Sequence, residues 1–256
     1  REVYYYELCD PYIAGILKLN GNGERQNKVA PYRFAISGGN HAGWGYWCHS
    51  LYSMVPPFLY DTHPEYFSEI NGKRIAPVGK EGGTQLCLTN PDVLKLSVEK
   101  LRKEMSKPVT GMPVWADSTA TYWSISQMDG NGNCTCDECK RLDKYDGSPS
   151  GSILSYVNKV AAKFPHKKIA TLAYIYSRKA PRYTKPAPNV AIQLCAIETA
   201  RDGINLPITS SPIHASFRND FQEWGRICND IVVWDYVVQF QNLISPFPNF
   251  SVMQDN

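Results

Sequence analysis

Residues 169–176 read Ile-Ala-Thr-Leu-Ala-Tyr-Ile-Tyr, an almost uniformly apolar run without polar alternation. A strand of that kind needs cover on both faces, which helices packed on a parallel sheet provide. Val190-Ala-Ile-Gln-Leu-Cys-Ala-Ile-Glu198 and Ile231-Val-Val-Trp-Asp-Tyr-Val-Val238 repeat the pattern. Helical spacing lies between such runs. Asn90-Pro91 supplies a cap and a first helical residue, and Val93, Leu94, Leu96, Val98, Leu101 and Met105 mark the inner face that follows. A second helix begins after Asp146-Gly-Ser-Pro-Ser150 and carries Ile153, Leu154, Val157, Val160, Ala161 and Phe164. Phe217, Phe221, Trp224 and Ile227 space out a third. Strand and helix in alternation imply an α/β fold with a parallel sheet.

Four further strand candidates precede these: Val3–Leu8, ending near Glu7, then Tyr46–Tyr52, Gln85–Leu88 and Tyr122–Gln127. Asp10-Pro11 starts a short helix after the first of them. Seven strands in 256 residues predict a (β/α)8 TIM-barrel-like domain, truncated before its eighth strand. A doubly wound open sheet is the alternative, without a GxGxxG or Walker loop to support it. Asn71-Gly72 marks a hairpin inserted beside the barrel. The proline-rich crossover from Arg178 to Pro188 is helix-poor. The abrupt ends read as those of a fragment, with an N-terminal domain and the last barrel unit outside it.

A net charge of +3 without a dense basic run argues against nucleic acid as a partner. No run of eighteen apolar residues would cross a bilayer. The sixteen Tyr and six Trp suit a sugar ligand, because flat rings stack on the C–H faces of pyranoses while their polar edges bond hydroxyls.

Three strand candidates place a carboxylate at the carboxyl-end rim, where barrels do their chemistry: Asp129, Glu198 and Asp235. Glycosidic cleavage needs two carboxyl groups, one to protonate the leaving oxygen and one to attack or to activate water. Asp129 is the candidate acid, and Glu198 or Asp235 the base or nucleophile. Structural pairing of these acids with Arg178 or Arg201 is the bland alternative. His49, Trp44, Gln127, Tyr176, Glu7 and Arg201 are candidate substrate contacts. Alternation sets Trp234 and Tyr236 opposite Asp235, as packing residues.

Of the eight cysteines, Cys9, Cys48, Cys87, Cys195 and Cys228 lie singly in or beside apolar segments and read as buried thiols. Cys134, Cys136 and Cys139 are clustered. They suit a structural zinc, given a fourth ligand such as His41 or another cysteine, or one disulfide, or plain thiols. No catalytic cofactor is required.

Several longer motifs carry a resemblance. Trp123-Ser-Ile-Ser-Gln-Met-Asp129, Cys136-x-x-Cys139-Lys, Gly147-Ser-Pro-Ser-Gly151, Thr171-Leu-Ala-Tyr174, Leu194-Cys-x-Ile-Glu198 and Trp234-Asp-Tyr236 resemble the bacterial "domain of unknown function 4838" family, as do His63–Phe67, Leu86–Pro91 and Pro246–Asn249. That resemblance implies a barrel similar to α-glucuronidases and β-hexosaminidases, an oligo- or polysaccharide partner, and a secreted, periplasmic or cell-surface location. α-Glucuronidases carry an acid after strand four and acidic bases after strands six and seven, where Asp129, Glu198 and Asp235 fall. Strand four ends in Asp here and in Glu there. The same resemblance leaves a non-catalytic carbohydrate-binding barrel as the alternative.

Overall fold

A computed structural model describes residues 44–77, 84–107, 120–199 and 207–236. The expected first strand and helix, and residues 237 and 238 of the last strand, lie outside them. At the centre is a parallel sheet of β3 (Tyr122–Ser124), β4 (Lys168–Ala173), β5 (Val190–Cys195) and β6 (Ile231–Trp234), hydrogen-bonded in that order. Tyr122 pairs with Lys168, Ile169 with Val190, and Ile192 with Ile231. Neighbours in space are neighbours in sequence. The chain therefore winds in one direction across these four strands, and no strand-order reversal of the doubly wound kind occurs among them.

Helices cover one face. α2 (Pro91–Met105) starts where Asn90 accepts the N–H groups of Asp92 and Val93 at 2.8 and 3.3 Å. Its Val93, Val98 and Leu101 join Ile153, Leu154, Val157 and Val160 of α4 (Ser150–Ala161) and Phe217 and Trp224 of α5 (Ala215–Ile227). These pack on Trp123, Ile169, Val190, Ile192 and Leu194 of the sheet in one core. Full burial of one such aliphatic side chain contributes roughly 1.5–3 kcal/mol. Leu172, Tyr174 and Cys195 alternate to the other face, where Cys48, Trp234 and Tyr236 join them in a separate cluster.

All six expected strands within the described residues are shortened or absent: β3, β5 and β6 stop at Ser124, Cys195 and Trp234, before the expected Gln127, Glu198 and Val238, and three others depart further. Residues 44–46 run along the free edge of β3: Trp44 bridges Tyr122 in parallel, and Ser124 N–H donates to the Tyr46 carbonyl at 3.0 Å. Gly45 permits this approach, since a Cβ there would lie 2.4 Å from the Trp123 ring. The chain then curls over the end of β3. Ser50 and Leu51 N–H both reach the Ser126 carbonyl, and helix α1 (Leu51–Met54) replaces the rest of the expected strand. Gln85–Leu88 forms only an isolated antiparallel bridge, Leu86 to Phe67. The run from Ile169 leaves the sheet after Ala173 and closes a 3-10 turn at Ile175–Ser177.

The hairpin forms as expected. β1 (Glu69–Ile70) pairs with β2 (Lys73–Arg74), and Asn71 and Gly72 take the positive φ values, 52° and 75°, that such a tight turn needs. Besides α1, a second helix was not anticipated: α3 (Asp137–Asp146) follows the cysteines. Only its Cys139 and Asp146 are buried, so it carries almost no apolar stripe. No helix among the described residues is long and apolar enough to cross a membrane.

Candidate functional site

Tyr174, the first residue after β4, donates its hydroxyl to Asp129 Oδ1 at 2.9 Å. Burial raises its phenol pKa, and the hydrogen bond and charge of Asp129 raise it further, with contributions from Cys195 and Glu198. The phenol therefore stays protonated and remains a donor. Strand order explains the meeting. Asp129 follows β3, Tyr174 follows β4 and Glu198 follows β5, so two acids flank one phenol on the carboxyl-end rim.

The two acids are held differently. Asp129 is exposed at the start of the glycine-rich loop. Glu198, 39% exposed, pairs with Arg178 Nη1 at 3.1 Å. The same guanidinium donates to Asp220 and to the Ser216 hydroxyl, both at 2.6 Å. Asp235 is placed otherwise: its Oδ1 accepts the Tyr236 N–H at 2.8 Å.

Trp234 and Tyr236 pack, as expected of them, in the cluster of Leu172, Tyr174 and Cys195, on the Tyr174 side of the sheet. Burial raises the Tyr236 phenol pKa, helped by Cys195, Tyr174 and Asp129. Alternation correctly paired these two aromatics on one face, but it could not say which face looks inward. Trp47 meets Trp234 at 5.3 Å between ring centroids. Trp47, Trp234 and Tyr236 thus form one aromatic group at the carboxyl end of β6.

His49 lies at the rim. Its Nδ1 sits 2.8 Å from the Gln127 carbonyl, which can only accept, so that nitrogen carries the proton and a neutral ring leaves Nε2 as an acceptor. Its ring centroid is 5.9 Å from that of Tyr174, and its φ of 48° is uncommon for a residue with a side chain. Gln127 is 1% exposed and occupied at both ends, donating to the Tyr174 carbonyl and accepting from the Ser177 hydroxyl. It shapes the rim and presents no free group to a ligand.

Two expected contacts lie elsewhere. Trp44 stacks on Tyr122 at 4.8 Å, at the amino end of β3, roughly 17 Å of strand from Gln127. Tyr176 packs against the helix-side core, where burial and then the Asp143 charge raise its pKa. Glu7, Arg201 and His41 lie outside the described residues. The residue that sequence reasoning missed is Tyr174, which lies inside the apolar run from Ile169 and carries no local signal of its hydrogen bond to Asp129.

Beside the Asp129 loop, Cys134, Cys136 and Cys139 meet Cys87, and all four sulfurs lie within 4.8 Å of one another. Cys87 is therefore no isolated thiol. Cys87, Cys134 and Cys139 are buried and Cys136 is half-buried. Hydrogen bonds from Cys134 and Cys139 hold the Cys87 thiol well below its usual range. Contact with Cys139 favours Cys134 ionisation, but Cys87 and burial push Cys134 up to about 12. Cys139 is raised by Cys134, Cys87 and burial. The four residues can hold one metal ion.

The family model described as Domain of unknown function (DUF4838) matches residues 11–256. No curated protein matches the chain.

Proposed function

The chain belongs to the DUF4838 family, and on that premise we propose that it is a glycoside hydrolase built on a (β/α)8 barrel. The observation that carries this reading is the Asp129–Tyr174–Glu198 constellation, set on three adjacent parallel strands. Consecutive strand order, with residues 44–46 continuing the sheet beyond β3, supports the barrel. Asp129 protonates the leaving oxygen and Glu198 acts as base, with Asp235 the other candidate base. Strands β3 and β5 stand two spacings apart, roughly 9.5 Å, which favours the wide carboxylate pair of an inverting enzyme, about 6.5–9.5 Å. Trp234, Tyr236 and Trp47 supply a stacking surface for an oligo- or polysaccharide. The family resemblance favours a secreted, periplasmic or cell-surface setting.

The test is hydrolysis of a glycan panel by the full-length protein, followed by Asp129→Asn and Glu198→Gln on any glycan cleaved. Turnover should fall about 10²–10⁴-fold with binding retained. Unchanged turnover in both variants rejects the site. A second reading is a barrel that binds carbohydrate without cleaving it. The Arg178–Glu198 ion pair favours it, because the guanidinium occupies a carboxylate oxygen that a base would have to turn to a water or sugar hydroxyl. Binding without hydrolysis across the panel would select it.

A further inference from the structure

We propose that Cys87, Cys134, Cys136 and Cys139 bind one structural zinc ion, which locks the loop carrying Asp129 onto the hairpin and the start of α2. The proposal is independent of the glycosidase reading, and its tests need no substrate.

Geometry comes first. Four thiolates at about 2.3 Å from a tetrahedral zinc stand about 3.8 Å from one another. Cys87 and Cys136 are 3.7 Å apart, and all four sulfurs fall within 4.8 Å of each other. Binding displaces to solvent whatever protons the four thiols still carry and leaves a site of net charge about −2. That charge has donors waiting for it. The Glu69 backbone N–H lies 3.3 Å from Cys134 Sγ, and Arg74 Nη1 lies 3.8 Å from the same sulfur. The Thr89 hydroxyl sits 3.3 Å from Cys139 and 3.5 Å from Cys87. Cys136 occupies the N-cap position of α3 and Cys139 lies in its first turn, where the helix dipole favours anions. Outer-shell donors of this kind are what tune structural thiolate sites.

The ligands also come from the right places. Cys87 precedes the Asn90 cap of α2, and the other three lie in the loop between β3 and α3 and in the first turn of α3. Thr135 clamps that loop to the hairpin, its N–H and hydroxyl both reaching the Glu69 carbonyl at 2.7 and 2.8 Å. A single ion adds a crosslink at a spot the main core does not reach, since the four cysteines cluster apart from it. Zinc is favoured over iron because it takes a closed four-thiolate site without redox chemistry.

The experiment is elemental analysis of the full-length protein purified without chelator, with mercurial release of bound zinc into a chromogenic chelator. One zinc per chain is expected. Cys87→Ser and Cys136→Ser should lose it, and Cys228→Ser should keep it. Should Cys87→Ser fail to fold, cobalt(II) exchanged into the unmodified protein should show the intense thiolate charge-transfer bands of a tetrahedral four-sulfur site. A metal-free protein, disulfides among these four cysteines, stoichiometric iron, or cobalt spectra without four thiolates would each overturn the proposal.

Discussion

The side-chain amide of Gln85 makes both hydrogen bonds of a β-bridge to Met128. Met128 N–H donates to Gln85 Oε1 at 2.8 Å, and Gln85 Nε2 donates to the Met128 carbonyl at 3.1 Å. A 1% exposed side chain thus stands in for a neighbouring strand and fixes the residue before Asp129. Gln85→Leu leaves both backbone groups buried and unpaired, at a cost of about 1–3 kcal/mol. Urea unfolding should show the loss, and hydrogen exchange should localise it to Met128 and the loop behind it. Protection equal to that of the unmodified protein would show that another group replaces the amide.

Arg178 should separate stability from site chemistry. Its pairs with Asp220 (side chain 11% exposed) and Glu198 (39% exposed) differ mainly in solvent access. Arg178→Met strands a nearly buried carboxylate and should cost about 2–4 kcal/mol. Glu198→Gln should stay within about 1 kcal/mol, as expected for a screened surface pair. Thermal denaturation of both variants checks the ordering, and an equal loss would contradict it.

Alkali should unfold the protein cooperatively. Burial, then the Glu104 charge, pushes the Tyr46 pKa up to about 12, and burial raises Tyr52, Tyr156 and Tyr174 as well. A phenol whose folded pKa exceeds its unfolded value near 10 contributes fully below that value. Its contribution falls as pH rises from about 10 towards the folded pKa, because the unfolded chain then binds fewer protons. Phenolate absorbance and loss of helical circular dichroism should therefore rise together above about pH 10. Phenolate appearing at full amplitude with helices intact would show these rings to be accessible.

Periodicity made the sheet legible, because buried parallel strands are apolar on both faces and Ile169–Ala173 and Val190–Cys195 have few other options. The same run could not reveal that Tyr174 ends its strand, since a 3-10 turn tolerates Ile175 and Tyr176 as readily as a strand does. Asp129 and Glu198 were legible as strand-end acids. That Tyr174 donates to Asp129 was not, because a tyrosine in an apolar run reads equally well as core. Cys87 sits 49 residues before Cys136, and nothing local in Gln85–Leu88 points to a thiol cluster. The chemistry of each segment was visible, but the meetings between segments are set by tertiary packing.

The consecutive parallel order also has a kinetic consequence. His49 meets Gln127 across 78 residues of chain, and Tyr174 meets Asp129 across 45. Closing loops of that length costs entropy before any contact repays it, so high contact order makes this region slow to assemble. Rim substitutions should then leave the refolding limb of a chevron nearly unchanged and steepen losses through faster unfolding, as positions formed after the transition state do. The rim would form late and open early.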